Sequence, residues 1–201
     1  MLAGLYEKER LRIAETAGSR GDYSHPVFGE GPASPQVMLI GEAPGGDEAR
    51  QGRPFVGKAG RQLDVLLNGA GIDRSRVYVT NAVKFRPVNV RPNSVSNRTP
   101  TGAELKAGLP LLKSELCLLS PRIVVTLGNT PLRAILTLAG ERIRTIGELH
   151  GKSISVTIEG REMLLSPQYH PASVIYNRAL ADTLAEDIGR LGKMIRAEEE
   201  R

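Results

Sequence analysis

Residues 37–60 read VMLIGEAPGGDEARQGRPFVGKAG, a short apolar run followed by a glycine-rich turn, a charged segment and the start of a helical pattern. The run is apolar on both faces, which is typical of a strand covered on both sides in a parallel sheet. The turn after it contains Glu42, and the irregular segment before the helix contains Phe55. Packing alone requires neither side chain there, so both are candidates for a functional role.

Similar apolar runs recur along the chain, with helical patterns between them. The runs lie at 77–80, 123–127 and 163–165, and an alternating segment at 152–158 predicts an extra strand in a hairpin with 162–166. Helices are predicted at about 4–16, 58–70, 101–119, 129–139 and 178–199. This alternation favours an α/β fold in one domain, residues 1–201, with helices on both sides of a central, mostly parallel sheet of about four strands. The segments outside this pattern are an N-terminal helix and loop at 1–26, a long loop at 86–101 and a C-terminal helix at 178–201.

The composition is globular, with 40% hydrophobic and 24% charged residues and a net charge of +5. The excess of Lys and Arg suits a polyanionic partner, although an ordinary basic surface explains it equally well. The single cysteine, Cys117, excludes an intrachain disulfide and any metal site built only from cysteines. No segment approaches the roughly 20 apolar residues that span a bilayer, and no signal peptide is recognised. We therefore expect a cytoplasmic protein with no membrane partner.

Polar side chains follow the ends of three predicted strands. Glu42 follows the first strand, Asn81 the second, and His170 the strand of the hairpin. Because ligands bind at the carboxyl ends of parallel strands, we expect these side chains to meet at one edge, with Phe55 beside them. Each also has a structural explanation: a helix cap for Glu42, a loop hydrogen bond for Asn81, a satisfied structural histidine, and helix packing for Phe55. Four such residues at one edge favour a binding pocket.

The residue types at this edge exclude several kinds of enzyme. No glycine-lysine phosphate loop is present, and the GEAPGG turn is followed by Asp47, Glu48 and a predicted loop instead of a helix, so no nucleotide cofactor is predicted. No Ser, Cys or Lys stands out as a nucleophile beside a base. An amide, an aromatic ring, an imidazole and a carboxylate together suit an extruded nucleobase.

Five motifs resemble those of the uracil-DNA glycosylase superfamily, and family four most of all: GEAPGGDEARQGRPFVGKAG, TNAVKFRP, NRTPTGAEL, VVTLG and YHPAS. The resemblance covers about residues 27–190. It implies a three-layer α/β/α sandwich, monomeric by default, that flips uracil out of DNA and hydrolyses its N-glycosidic bond to start base excision repair. By motif position the catalytic residues are Glu42 and His170, and the base contacts are Phe55, Asn81, Gly41, Ala43 and Gly45.

Further residues are predicted to contact the uracil-containing DNA, chiefly through its phosphates. The basic ones are Arg53, Lys58, Lys84, Arg86, Arg91 and Arg98. The resemblance implies that the loop after His170 presses into the duplex where the base has left, through Pro171, Ala172, Ser173 and Val174. Arg91 and Arg98 belong to an insertion at 88–97 and its flank, where a solvated loop is an equal alternative.

The chain departs from family four at the iron–sulfur cluster that the resemblance implies. That cluster is held by four cysteines, whose matched positions here are approximately Lys8 and Leu11, then Phe85 in VKFRP and Gly108 before a proline. Cys117 is out of register with all of them. We therefore predict no cofactor and no metal, and interpret Phe85 and the N-terminal helix as replacing the cluster by apolar packing.

Two other departures concern the substrate. A related subgroup carries, in the insertion, a histidine that becomes linked to uracil, but no histidine lies between His25 and His150, so ordinary turnover by a monofunctional enzyme is predicted. Gly45 leaves open a wall that a tyrosine forms in the best-known uracil enzymes. Two alternatives therefore stay open: a glycosylase that also accepts hypoxanthine or xanthine, and a non-catalytic module that binds lesions in DNA.

Overall fold

The computed structural model describes residues 2–15, 21–22 and 25–199. In chain order its elements are α1 (Leu2–Glu15), β1 (Gly21–Asp22), β2 (Val37–Gly41), α2 (Gly46–Gln51), α3 (Lys58–Gly69), a 3-10 turn (Arg74–Arg76), β3 (Val77–Asn81), β4 (Arg86–Arg91), β5 (Ser94–Asn97), α4 (Gly102–Leu119), β6 (Ile123–Leu127), α5 (Asn129–Leu138), α6 (Ile146–Leu149), β7 (Ile154–Ile158), β8 (Arg161–Gln168), α7 (Ser173–Tyr176) and α8 (Leu180–Glu199). None of the helices described is both long and apolar enough to cross a membrane.

The central sheet has five strands in the order β3-β2-β6-β8-β7. Its first four strands run parallel, and β7 pairs antiparallel with β8, as the predicted hairpin requires. The mostly parallel sheet is thus confirmed, with five strands where about four were predicted, because the alternating 152–158 segment joins the edge of the same sheet.

Helices cover both faces of this sheet because alternate strand residues point to opposite sides. In β2, Met38 and Ile40 lie in a core shared with α1, α4 and α5. Val37 and Leu39 lie in the opposite core, with leucines of α3 and the apolar stripe of α8. The three-layer α/β/α sandwich is confirmed, and the site lies where its parallel strands end.

The prediction that residues 86–101 form a loop is wrong for most of that segment. Residues 86–97 form a hairpin of β4 and β5 in which Val90 pairs with Val95, and β4 also pairs with β1. The prolines had favoured a loop, yet Pro92 lies in the two-residue turn, where no ladder hydrogen bond is lost. Together, β1, β4 and β5 form a second, small sheet.

Other predicted boundaries shift by a few residues. The short helix α2 follows the GEAPGG turn where a loop was predicted. In the predicted C-terminal helix at 178–201, α8 begins at Leu180, and residues 200–201 lie outside the described part of the chain. In the N-terminal segment 1–26, residues 1, 16–20 and 23–24 likewise lie outside the description.

Candidate active site

The sheet brings the three predicted strand ends to one edge. Gly41 at the end of β2 is in register with Asn81 at the end of β3. On the other side of β2, the last residue of β6 pairs with Gln168 at the end of β8, two residues before His170. Glu42, Asn81 and His170 therefore leave the sheet at the same carboxyl edge, as the sequence predicts.

Asn81 and Phe55 converge above Gly41. A Cβ atom placed on Gly41 would lie 2.4 Å from Asn81 Oδ1 and 2.5 Å from Phe55 Cζ, so only glycine leaves room for both. Phe55 has a positive φ of 56°, which is rare for an aromatic residue and indicates a conformation imposed by its surroundings. Gly60 in α3 contributes to this, because a Cβ there would lie 1.8 Å from the Phe55 carbonyl oxygen.

His170 faces the same space as Phe55. Their ring centroids are 6.4 Å apart, with 28° between the ring planes. The Ala172 N–H donates to His170 Nδ1 at 3.1 Å, so a neutral ring carries its proton on Nε2. Burial lowers the pKa of His170, and the Glu48 carboxylate opposes this shift. The imidazole is therefore a neutral donor through Nε2, a tautomer that the sequence did not reveal.

Glu42 is half-buried and oriented by a residue that sequence reasoning missed. The Thr130 hydroxyl, in the first turn of α5, donates to Glu42 Oε2 at 2.5 Å. The N-terminus of α5 also favours a negative charge at this place. The Glu42 backbone is fixed as well, because the Val83 N–H donates to the Glu42 carbonyl oxygen at 3.1 Å. These two bonds hold the Glu42 carboxylate and its backbone at the edge of the sheet.

Glu48 is a second residue near the site for which the sequence predicts no role. Its carboxylate is buried, and it accepts hydrogen bonds from the Gly57 N–H at 2.8 Å and the Gly45 N–H at 3.2 Å. It thereby ties the turn after β2 to the start of α3. The spacing of Gly45 and Glu48 is that of a helix capping motif, a sequence signal that could have identified it.

Gly45 has little open space beside it. A Cβ atom at Gly45 would lie 2.7 Å from Glu48 Oε2 and 3.3 Å from Asn97 Nδ2, the latter from the hairpin. Arg86 donates to Asn97 Oδ1 at 2.7 Å and lies against Gly46. The inserted hairpin therefore packs on the turn that holds Glu42. Ala43, which is also predicted to contact the base, follows Glu42 in this turn and is half-buried.

Several residues predicted to contact DNA are accessible to solvent. Arg53 is exposed and donates two hydrogen bonds to Glu30, and Lys58 and Arg91 are also exposed. In the loop after His170, Pro171 is buried, while Ala172, Ser173 and Val174 are half-buried.

The predicted DNA contacts of Lys84 and Arg98 do not fit the structure. Lys84 is 2% exposed, and its ammonium group is bonded inside the protein. Arg98 is largely buried and donates to both carboxylate oxygens of Glu104 at 2.7 Å, which ties the hairpin to α4. In both cases the charge of the basic residue is already paired with a carboxylate of the protein.

The residues at the four expected cysteine positions do not fit an iron–sulfur cluster, because Lys8, Leu11, Phe85 and Gly108 supply no thiolate. Phe85 instead packs into a hydrophobic core. The same core contains Ile13 of α1 and several leucines of α4. Among residues 2–15, 21–22 and 25–199, no group of three or more His, Cys, Asp or Glu side chains could hold a metal ion.

We expect the purified protein to contain no stoichiometric iron or acid-labile sulfide, and its Tm to be insensitive to chelators, because none of the four matched positions supplies a thiolate. Metal analysis by plasma mass spectrometry, a sulfide assay and thermal unfolding with and without chelator check this. Four irons per chain, with the absorption of a cluster, would contradict the prediction.

Comparisons with known proteins all lead to one family. A family model described as the uracil DNA glycosylase superfamily matches residues 28–188. The type-4 uracil-DNA glycosylase of Pyrobaculum aerophilum is 40% identical over 162 residues, covering 81% of this chain and 79% of the relative. That of Sulfurisphaera tokodaii is 36% identical, covering 85% and 75%, and that of Thermotoga maritima is 35% identical, covering 94% and 93%.

Proposed function

This chain belongs to the uracil DNA glycosylase superfamily, and on that premise we propose that it extrudes uracil from DNA and hydrolyses its N-glycosidic bond at the edge formed by β2, β3 and β8. One observation supports the assignment of the site: the ends of β2, β3 and β8 lie at one edge of the sheet, where Phe55 approaches both Asn81 and His170 and where Glu42 follows Gly41. Their chemistry is complementary to one extruded base and the sugar that holds it.

Recognition of the base is assigned to Asn81 and Phe55. The Asn81 amide bonds the Watson–Crick edge, and the Phe55 ring stacks on the base face, which contributes about 1–3 kcal/mol without choosing among bases. Gly41 supports this pair because it leaves space for both side chains. Glu48 and Asn97 lie beside Gly45. In this proposal they form the wall of the base pocket that a tyrosine forms in the best-known uracil enzymes.

Cleavage of the bond is assigned to Glu42 and His170. The bond from the sugar C1′ to N1 breaks with its electron pair moving onto the base, and a water oxygen forms the new bond to C1′. The neutral His170 donates from Nε2 to the base O2 as negative charge collects there, which stabilises the transition state more than the ground state. The Glu42 carboxylate opposes the positive charge on the sugar and orients the water, from which it accepts a proton.

Contacts with the rest of the DNA are assigned to three exposed basic residues, to the half-buried Arg86 and to the loop after His170. Arg53, Lys58, Arg86 and Arg91 bind phosphates, and Pro171 to Val174 press into the duplex. We infer a monofunctional enzyme, because the Lys84 amine already has three acceptors and the Lys58 amine is assigned to a phosphate. A monomer acting in the cytoplasm, without cofactor, completes the proposal.

The test is incubation of the protein with labelled oligonucleotides that contain uracil, hypoxanthine, xanthine or a G·T mismatch, followed by hot alkali to reveal abasic sites. We expect uracil to be released at least about tenfold faster than the other bases, since Asn81 discriminates by hydrogen bonding. No strand break should appear before alkali treatment. Equal rates on hypoxanthine or xanthine would favour the broader glycosylase. Tight binding of uracil DNA without abasic sites would favour the lesion-binding module.

A further inference from the structure

A buried polar network surrounds Lys84 directly behind the base-reading edge. Its ammonium group donates to Glu115 Oε2 at 2.6 Å, to Thr80 Oγ1 at 2.6 Å and to the Asn81 carbonyl oxygen at 2.7 Å. Lysine has three such donors, so all of them are used. Lys84 and Glu115 are almost completely buried, which is uncommon for charged residues unless they are paired.

The network extends to the N-terminal helix through the other oxygen of Glu115. The Tyr6 hydroxyl donates to Glu115 Oε1 at 2.7 Å and also bonds the Tyr78 hydroxyl. Burial, with a smaller contribution from the Glu115 carboxylate, raises the pKa of Tyr6, so its phenol stays protonated as a donor. Tyr6 lies in α1 and Glu115 in α4, so this carboxylate connects both helices to β3.

The other end of the network reaches the backbone of the active site. The residues between Asn81 and Lys84 donate two hydrogen bonds to the turn after β2: Ala82 N–H to the Gly41 oxygen at 2.9 Å, and Val83 N–H to the Glu42 oxygen at 3.1 Å. The segment 81–84 therefore carries the base-reading amide and also holds the backbone of the catalytic carboxylate. Lys84 closes this segment on itself by bonding the Asn81 carbonyl.

Stability alone does not account for this network. Replacing a buried ion pair by apolar residues of similar volume is often neutral or stabilising, because two charges must lose their hydration on burial. A network whose every donor has an acceptor instead selects one geometry. The network holds the backbone of residues 81–84, which carries Asn81 and bonds the turn with Glu42. That backbone needs a defined geometry, since a displacement of about 1 Å in an active site can cost about 10²-fold in rate.

We propose that the Lys84–Glu115 pair, anchored by Tyr6, is a positioning unit that sets the backbone of Asn81 and Glu42. The same pair connects the three segments that contain the expected cysteine positions of the iron–sulfur cluster. Those segments are α1, the residues around Phe85, and α4, which hold the four positions that lack cysteine. Phe85 supplies apolar packing between them, and the pair adds directional bonds. The inference rests on the proposed function for its kinetic consequence.

Four variants separate positioning from stability: Lys84→Met, Glu115→Met, the Lys84→Met/Glu115→Met double variant, and Lys113→Met/Glu159→Met as control. Glu115→Met alone leaves a buried unpaired charge, so its Tm should fall by about 10 °C. The double variant removes both charges and should regain most of that Tm. Its kcat should nevertheless stay about 10²-fold below wild type, with KM changed little, because the backbone is no longer held.

In the control pair, Lys113 lies in α4 like Glu115, and its partner Glu159 lies in the turn between β7 and β8. Lys113 Nζ and Glu159 Oε1 are 2.7 Å apart, and their side chains are 43% and 54% exposed. Because exposed pairs contribute little, this double variant should keep wild-type Tm and kcat. All rates are measured well below the lowest Tm, so that unfolding does not enter them.

Amide hydrogen exchange tests the same positioning without any substrate. In the double variant, the protection of the Ala82 and Val83 amides should fall about tenfold or more while Val124 in β6 keeps its protection, because local opening depends on the contacts that hold a segment. An inactive wild type would defeat the proposed function, and exchange would still decide this inference. A double variant with wild-type protection at Ala82 and Val83, or with wild-type kcat, would overturn it.

Discussion

Replacing Glu42 with Gln should lower kcat on uracil-containing DNA by about 10³-fold, within the 10²–10⁴ range of general acid–base groups. The amide keeps the size of the side chain and still accepts a hydrogen bond from the Thr130 hydroxyl. It has no negative charge to oppose the developing sugar cation, and it cannot take a proton from water. Single-turnover assays with excess protein measure the chemical step, and binding to an oligonucleotide with an uncleavable uracil analogue should change little.

Two further variants serve as comparisons for Glu42→Gln. Thr130→Val removes the hydroxyl that orients Glu42 but keeps the charge, so its rate should fall less, by about tenfold, as expected for one hydrogen bond to a charged group. Glu141→Gln changes an exposed carboxylate just after α5 and should leave the rate unchanged. A Glu42→Gln rate within tenfold of wild type would remove Glu42 from the chemistry.

Replacing His170 with Ala should lower kcat by about 10²–10³-fold, the usual cost of one donor to a developing oxyanion. KM should change less, since the bond from Nε2 to the base strengthens only as the base leaves. The exposed His25 provides the matched control, because His25→Ala removes an imidazole outside the site. An unchanged kcat in His170→Ala would show that another group serves the leaving oxygen.

The titration of His170 gives a prediction with a definite sign. Burial lowers the pKa of folded His170 below the ordinary value of 6.5, so the unfolded chain binds the proton more readily. The stability that neutral His170 contributes is complete above pH 6.5 and is lost as the pH falls through the folded pKa. The Tm of wild type relative to His170→Ala should therefore decline on acidification. Imidazole resonances followed by NMR give the pKa directly, and a value above 6.5 would contradict this.

Much of the fold was predictable because its signals are local. Continuous apolar runs predicted β2, β3 and β6, and the stripe through Leu184 and Ile188 predicted α8. The hairpin at 86–97 was missed because its prolines read as loop signals, whereas Pro92 occupies the turn and β1 supplies a partner strand. Pairing with a distant strand leaves no mark within the segment itself, so this part needed the structure.

The amino-acid sequence by itself determined which side chains follow the strands, and so which residues meet at the edge: in a parallel sheet, all carboxyl ends point the same way. Only the tertiary structure decided what each charge does. It paired Lys84 with Glu115, 31 residues away, and placed Thr130 on Glu42, 88 residues away. It also placed the proton of neutral His170 on Nε2. The physical reason is that hydration and hydrogen bonding of a charge depend on atoms brought close by folding, which local sequence patterns do not contain.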